Sequence, residues 1–228
     1  MTLRHNSRPR LQEGLELIYE DRDVVVVDKP AGLLTVGTET EKRRTAYSAL
    51  FDYLKHQRPP QRIFIVHRLD REASGLLVFA KSETAKRDLQ AQFEDHSAGR
   101  TYVAVTDGRM NFETRTIRSY LAENAIHRCY STPDPAKGKM AVTHVSVLRR
   151  SPNRTAVEVR LETGRKHQIR VHLAELGFPI LGDPVYGNKR SPLRRLALHG
   201  MKLTFKHPFT HKVMEFASPP PASFSGLV

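Results

Sequence analysis

One short run concentrates groups that could do chemistry. IVHRLDREASGLLVFAKS, residues 65–82, sets His67, Arg68, Asp70 and Arg71 in a charged turn between two apolar stretches. A carboxylate delivered into a tight turn can attack as a nucleophile or take a proton, provided that it stays ionised. An aspartate among arginines is also how a surface ion pair looks, and the segment alone leaves both readings open. Strand, charged turn, strand is nevertheless the order in which rigid elements hold functional groups on a loop.

Other chemistries find little support. There is no P-loop and no GxGxxG, so Pro30, Gly32, Gly75, Gly164, Gly182 and Gly187 read as turn-formers rather than phosphate cradles. The chain has 11 histidines, but His167 and His172 are five apart and His207 and His211 flank a Pro-containing turn. Neither spacing stacks two ligands on one helical face, and no metal is expected. Cys129 is the only cysteine, which excludes an internal disulfide and a thiolate cage and fits a reducing cytoplasm.

Lys plus Arg number 37 against 24 Asp plus Glu, a net charge of +13 that favours a polyanionic partner, nucleic acid first. No apolar run approaches the length of a membrane span, and the opening MTLRHNSRPRLQEG has no apolar segment after its charges, so neither a membrane partner nor a secretory signal is expected. A cytoplasmic monomer is the expected state.

The elements that must position the turn follow from periodicity. At 228 residues and 39% hydrophobic content the chain can bury a sizeable core. LELIYE and VVVVDK read as a hairpin that breaks at Pro30 and Gly32. TAYSALFDYLKH reads as a helix whose half-buried face carries Tyr47, Leu50, Phe51 and Leu54, ended by Pro59 and Pro60. IFIV and LLVFAK flank the charged turn as strands, ETAKRDLQAQFEDH is a second amphipathic helix with Leu89 and Phe93 on one side, and RTYVAVT returns to strand. ETRTIRSY, MAVTHVSVLRR and TAVEVRLE alternate as strands with STPDPAKGK as a loop; TGRKHQIRVHLAELG reads as a third helix stopped by Gly177; LALHGMKLTF and KVMEFAS close the chain as strands. With no fixed repeat and no long linker, the expectation is one α+β domain over 15–228, a largely antiparallel central sheet flanked by helices, after a flexible basic lead-in over 1–14.

HRLDREASGLLVFAK resembles the HRLD-x-x-TSGLL-x-FAK motif of the RluA-type RNA pseudouridine synthases. DRDVVVVDKPAGLLTV is similar to that family's first segment with its Lys-Pro-x-Gly, and RTYVAV to the segment supplying its active-site tyrosine. ETGRKHQIRVHLAELGFPILGDPVYG resembles its long arginine-containing motif, and LALHGMKLTFKHP its closing strand. The matches run in family order from about residue 16 to residue 217, which far exceeds a short glycine pattern in specificity. Ala73 stands where the family usually has Thr, and no S4-like RNA-binding module is seen before the core.

The resemblance implies a catalytic cleft in which uridine, flipped from a ribosomal or transfer RNA stem-loop, is isomerised to pseudouridine without cofactor. It assigns Asp70 as the catalytic carboxylate, Arg170 as the cation that pairs with it, and Tyr102 as the ring against the target uracil. Such a ring offers about 1–3 kcal/mol of stacking, comparable with the cost of flipping. Arg68 would fill the gap left by the extruded base. Leu69, Arg165 and His167 would join it as substrate contacts, as would His67, which is equally suited to a packed, hydrogen-bonded turn. The alternative is an inactive RNA-binding or RNA-folding module of the same architecture. A metal-dependent hydrolase would want a carboxylate cluster or histidine pair that the sequence does not display.

Overall fold

The computed structural model describes residues 9–188 and 191–228. They form two compact units, one of residues up to Ala91 together with Lys206–Val213, the other of Gln92–Phe205 together with Met214–Val228. The expected α+β class holds, and the strand pairings within each unit are antiparallel. Among the described residues no helix is long and apolar enough to cross a membrane.

The first unit is built on β1 (Glu16–Glu20), β2 (Val24–Lys29) and β4 (Ser74–Ala80), with β3 (Phe64–Ile65) pairing the end of β4. Val24 to Val27 and all of β4 are buried, so these strands read as continuous apolar runs rather than alternating ones. Asp21 makes the hairpin turn: its Oδ1 accepts from the N–H of Asp23 and of Val24, both at 2.8 Å. Residues 1–8 of the expected lead-in lie outside the described residues; within 9–14, Arg10 bridges Glu16 and Gln12–Gly14 forms a 3-10 turn.

α1 (Ala46–Lys55) starts where Thr45 caps it, the hydroxyl accepting from Ser48 N–H at 2.9 Å. Its buried stripe is Ala46, Ala49, Leu50 and Leu54. The expected face is corrected at Phe51, which is 42% exposed and stacks on Tyr47. Four apolar positions at helical spacing offered two overlapping stripes, and the small residues Ala46 and Ala49 won the close-packed side. α2 (Glu83–Glu94) buries Ala85 and Leu89.

The second unit runs in spatial order β10 (Leu198–Lys206), β5 (Gly99–Asp107), β9 (Arg154–Leu161), β8 (Lys139–Arg150), β6 (Thr114–Glu123) and β7 (Cys129–Thr132), with β11 (Val213–Ala217) beside β10. β7 takes Ser131 and Thr132 out of the expected loop. α3 (Gln168–Glu175) is shorter than the pattern suggested because His167 adopts a left-handed φ of 54°, which no helix interior tolerates. Gly177, at φ +85°, ends it as expected. Leu121, Cys129, Ala141 and Val171 form a core cluster between the strands and this helix.

Candidate active site

Within the first unit, His67, Arg68, Leu69 and Asp70 follow β3 in one turn that re-enters the sheet at β4. Arg68 is exposed, Asp70 is half-buried and Leu69 is 6% exposed. Val78 N–H donates to His67 Nε2 at 3.2 Å, so that nitrogen is committed to the backbone of β4.

The turn is held by two residues to which sequence reasoning gave no role. Lys29 is 0% exposed, and its ammonium donates to the carbonyls of Ala73 (2.6 Å), Leu33 (2.7 Å), Pro30 (2.9 Å) and Arg71 (3.3 Å). A buried ammonium is costly unless its donors are used, and here one charge laces the loop after β2 to the loop after Asp70. Gly32 N–H adds a bond to Arg71 O at 2.8 Å, and Arg71 Nε returns one to Gly32 O at 3.2 Å. Gly32 sits at φ +89°, open to glycine without strain. Thr35 clamps Leu69, its hydroxyl lying 2.8 Å from Leu69 O and 3.1 Å from Leu69 N. Both residues stood inside the quoted segment DRDVVVVDKPAGLLTV, Lys29 in its Lys-Pro-x-Gly and Thr35 near its end, and neither was given a role.

Within the second unit, Tyr102 lies on β5, 6% exposed, opposite Gly200 of β10 and Val159 of β9. Arg165, His167 and Arg170 lie on the loop and first turn of α3. Gln168 ties this loop down. Its Oε1 accepts from Thr163 Oγ1 (2.8 Å) and Arg165 N–H (3.0 Å), while its Nε2 donates to Val142 O (3.0 Å) and Thr143 Oγ1 (2.9 Å). Arg165 is exposed and donates from Nε to Met140 O at 3.0 Å. His167 Nδ1 is 3.1 Å from the Tyr186 hydroxyl.

Arg170 is not a surface arginine: it is 1% exposed and makes a two-point ion pair with Asp183, Nε to Oδ2 and Nη2 to Oδ1, each at 2.8 Å. Its guanidinium also lies 5.4 Å from the Tyr186 ring centroid. Burial would raise the Asp183 carboxyl, but the Arg170 bonds and the N–H groups of Tyr186 and Val185 hold it below the usual carboxylate value. Burial pushes the Tyr186 phenol up to about 12, so it stays a neutral donor, giving its proton to Cys129 O. Asp183 and Tyr186 were visible only as part of GDPVYG, whose turn-forming Asp-Pro was the available signal.

His172, the histidine within α3, is fully buried between Thr143 Oγ1 (2.8 Å) and Ser119 Oγ (2.9 Å). Desolvation lowers it to about 4, which makes it a neutral core group rather than an acid or base.

Asp21, Asp23 and His207 bring ligand atoms within 4.8 Å of one another. His207 Nδ1 accepts the N–H of Thr210 (3.1 Å) and Phe209 (3.3 Å), so Nε2 carries the proton and donates to Asp21 Oδ2 at 3.1 Å. A metal at Nε2 would need that proton removed while Nδ1 stays unprotonated, an imidazolate. The trio is a clamp on the hairpin turn, and the fit to a metal is poor.

A family model described as RNA pseudouridylate synthase matches residues 23–175. The chain is 38% identical over 220 residues to ribosomal large subunit pseudouridine synthase D of Neisseria meningitidis serogroup A, covering 91% of this chain and 59% of that protein. The Pseudomonas aeruginosa protein of the same name is 38% identical over 228 residues, covering 94% of this chain and 71% of its own length. Among solved structures, human RNA pseudouridylate synthase domain containing 4 superposes with a TM-score of 0.76 over 91% of this chain and 89% of that one, at 23% identity, a likeness of fold.

Proposed function

Because the chain belongs to the RNA pseudouridylate synthase family, we propose that it isomerises uridine to pseudouridine in structured RNA, with Asp70 as the reacting carboxylate. The observation that carries the reading is the catalytic turn itself. Asp70 is half-buried between Leu69, which Thr35 clamps, and Arg71, whose carbonyl accepts from Lys29 and Gly32. A group held this firmly is what attack or proton removal at a fixed distance requires.

The reaction balances without redox change. The N1–C1′ bond breaks, a C5–C1′ bond forms, the C5 proton leaves and N1 gains one. An ionised carboxylate can serve it by attacking the ring, attacking C1′ or taking the C2′ proton. Tyr102 supplies a ring for the uracil to lie on, and Arg170, oriented by Asp183, supplies the positive charge that the reading assigns to the reaction. Arg68, exposed beside Asp70, fits the space left by a flipped base; Leu69, His67, Arg165 and His167 complete the proposed substrate contacts. We take 15–228 as the catalytic segment.

The chain spans about 59% of the length of the Neisseria relative. Two relatives are named for the ribosomal large subunit, which makes ribosomal RNA the first substrate to test and transfer RNA the second. The net charge of +13 supports an RNA partner whose affinity falls steeply with salt. The test is Asp70→Asn assayed for tritium release from [5-³H]uridine RNA of a strain lacking the gene. RNA binding retained with turnover abolished is the expected result; turnover near the wild type would refute the assignment.

A further inference from the structure

Leu69, directly before Asp70, has its backbone bonded twice by one side chain. Thr35 Oγ1 donates to Leu69 O at 2.8 Å and accepts from Leu69 N–H at 3.1 Å. Bonds to the amide and the carbonyl of one residue restrain both its torsions, as a neighbouring strand would, but here a hydroxyl does it. Thr35 is 3% exposed and Leu69 6%, so water offers no ready replacement for either bond.

Thr35 is itself fixed at the start of α1. Its carbonyl accepts Tyr47 N–H at 3.1 Å, and Leu34 O accepts Ala46 N–H at 2.8 Å. These are first-turn amides that lack partners inside the helix, so the loop and the helix start hold each other. On the far side of Asp70, the Arg71 carbonyl is held by Gly32 N–H at 2.8 Å. Asp70 therefore leaves the chain between two clamped neighbours, the Thr35 hydroxyl holding the residue before it and the Lys29 ammonium and Gly32 N–H the residue after it.

Resting on the isomerase reading of Asp70, we propose that Thr35 is a positioning residue for that carboxylate, its hydroxyl setting the direction in which the Asp70 side chain is presented to the nucleoside. The bland alternative is that the hydroxyl merely satisfies a buried peptide and contributes to stability alone. The two differ in what survives when the shape is kept and the hydroxyl removed. A purely structural bond, once lost, lowers the folded fraction; a positioning bond lowers the turnover of molecules that are still folded.

Thr35→Val keeps the branched shape, Thr35→Ser keeps the hydroxyl, and Thr35→Cys offers a weaker, longer donor. Each is assayed beside the wild type and Asp70→Asn by tritium release from [5-³H]uridine RNA of a strain lacking the gene, at a temperature where circular dichroism shows the variant folded. For Val, kcat is expected to fall by about 10²-fold, the scale of a slight misplacement. Its KM should move by less than about twofold, because binding is not what is lost. Ser should restore kcat to within a few-fold, with Cys between Ser and Val. If Val does not fold, the order of Ser above Cys carries the test. Full turnover by Val, or equal turnover by Ser and Cys, overturns the positioning role while leaving Asp70 catalytic. A wild type that releases no tritium overturns the isomerase reading and this inference with it.

Discussion

Arg170 and Asp183, on α3 and on the loop that follows it, meet in a two-point ion pair with both bonds at 2.8 Å, the arginine 1% and the aspartate 3% exposed. Thirteen positions separate them in the chain, so the pair also fixes the return of the loop against the helix.

Removing one partner of such a pair takes away bonds that offset the desolvation of the other, at a cost of about 3–5 kcal/mol. Asp183→Asn is nearly isosteric and should lower unfolding free energy on that scale in urea. Turnover should also fall at temperatures where the variant is folded, since Arg170 loses its orientation. An unfolding midpoint within error of the wild type would show that the pair contributes nothing net.

Lys29→Met keeps the length of the side chain and removes its ammonium. The carbonyls of Leu33 and Ala73, bonded at 2.7 and 2.6 Å, would lose a buried donor. Each unsatisfied carbonyl costs about 1–3 kcal/mol, partly offset because no charge is buried any longer. Lower stability together with lower kcat is the expected result, measured by urea melts and tritium release. Wild-type turnover in the variant would mean that the turn keeps its shape without the lysine.

His172 predicts an acid-sensitive window. Its folded pKa of about 4 lies below the ordinary 6.5, so the unfolded state binds the extra proton. Stability is complete above pH 6.5 and is lost as pH falls towards 4, by roughly 3 kcal/mol in all. Asp21, Asp183 and Glu20 have lowered pKa values, and their contributions fade only below their ordinary 3.8 to 4.5, leaving the interval from 6.5 to 4.5 to separate the histidine from them. Unfolding free energy followed across that interval should slope for the wild type and be flatter for His172→Asn. Parallel slopes would contradict the assignment.

Two glycines of the long motif separate by what surrounds them. A Cβ on Gly182, at φ +71°, would lie 1.9 Å from the Arg195 carbonyl oxygen, whereas one on Gly164 would meet the Arg100 guanidinium, at 2.4 Å from Nη1. Backbone cannot yield as the end of a side chain can. Gly182→Ala should cost at least about 3 kcal/mol or prevent folding, and Gly164→Ala no more than about 1 kcal/mol. Thermal melts of the pair decide it, with equal losses counting against the steric argument.

Strands were the legible part of the sequence, because VVVVDK, SGLLVFA and RTYVAV combine branched side chains with turn residues at their ends. β7 was hidden by the prolines that follow it, and the extent of α3 by His167, whose left-handed backbone carries no compositional sign. The turn bearing Asp70 could be read from its own residues. Its supports could not: Thr35 reaches Leu69 across 34 positions and Lys29 reaches Ala73 across 44, distances over which no local pattern reports. Phe51 went to the wrong side because spacing gives a stripe but not which edge of it faces inward.

The lacing of two loops by the Lys29 ammonium has a mechanical consequence. Four carbonyls sharing one buried cation must travel together, so neither loop can swing alone without opening the other to solvent. On the proposed reading, the turn would meet an RNA as an anvil. Whatever yields during such a capture would then be the RNA strand, or stretches of the protein that carry no such rivet.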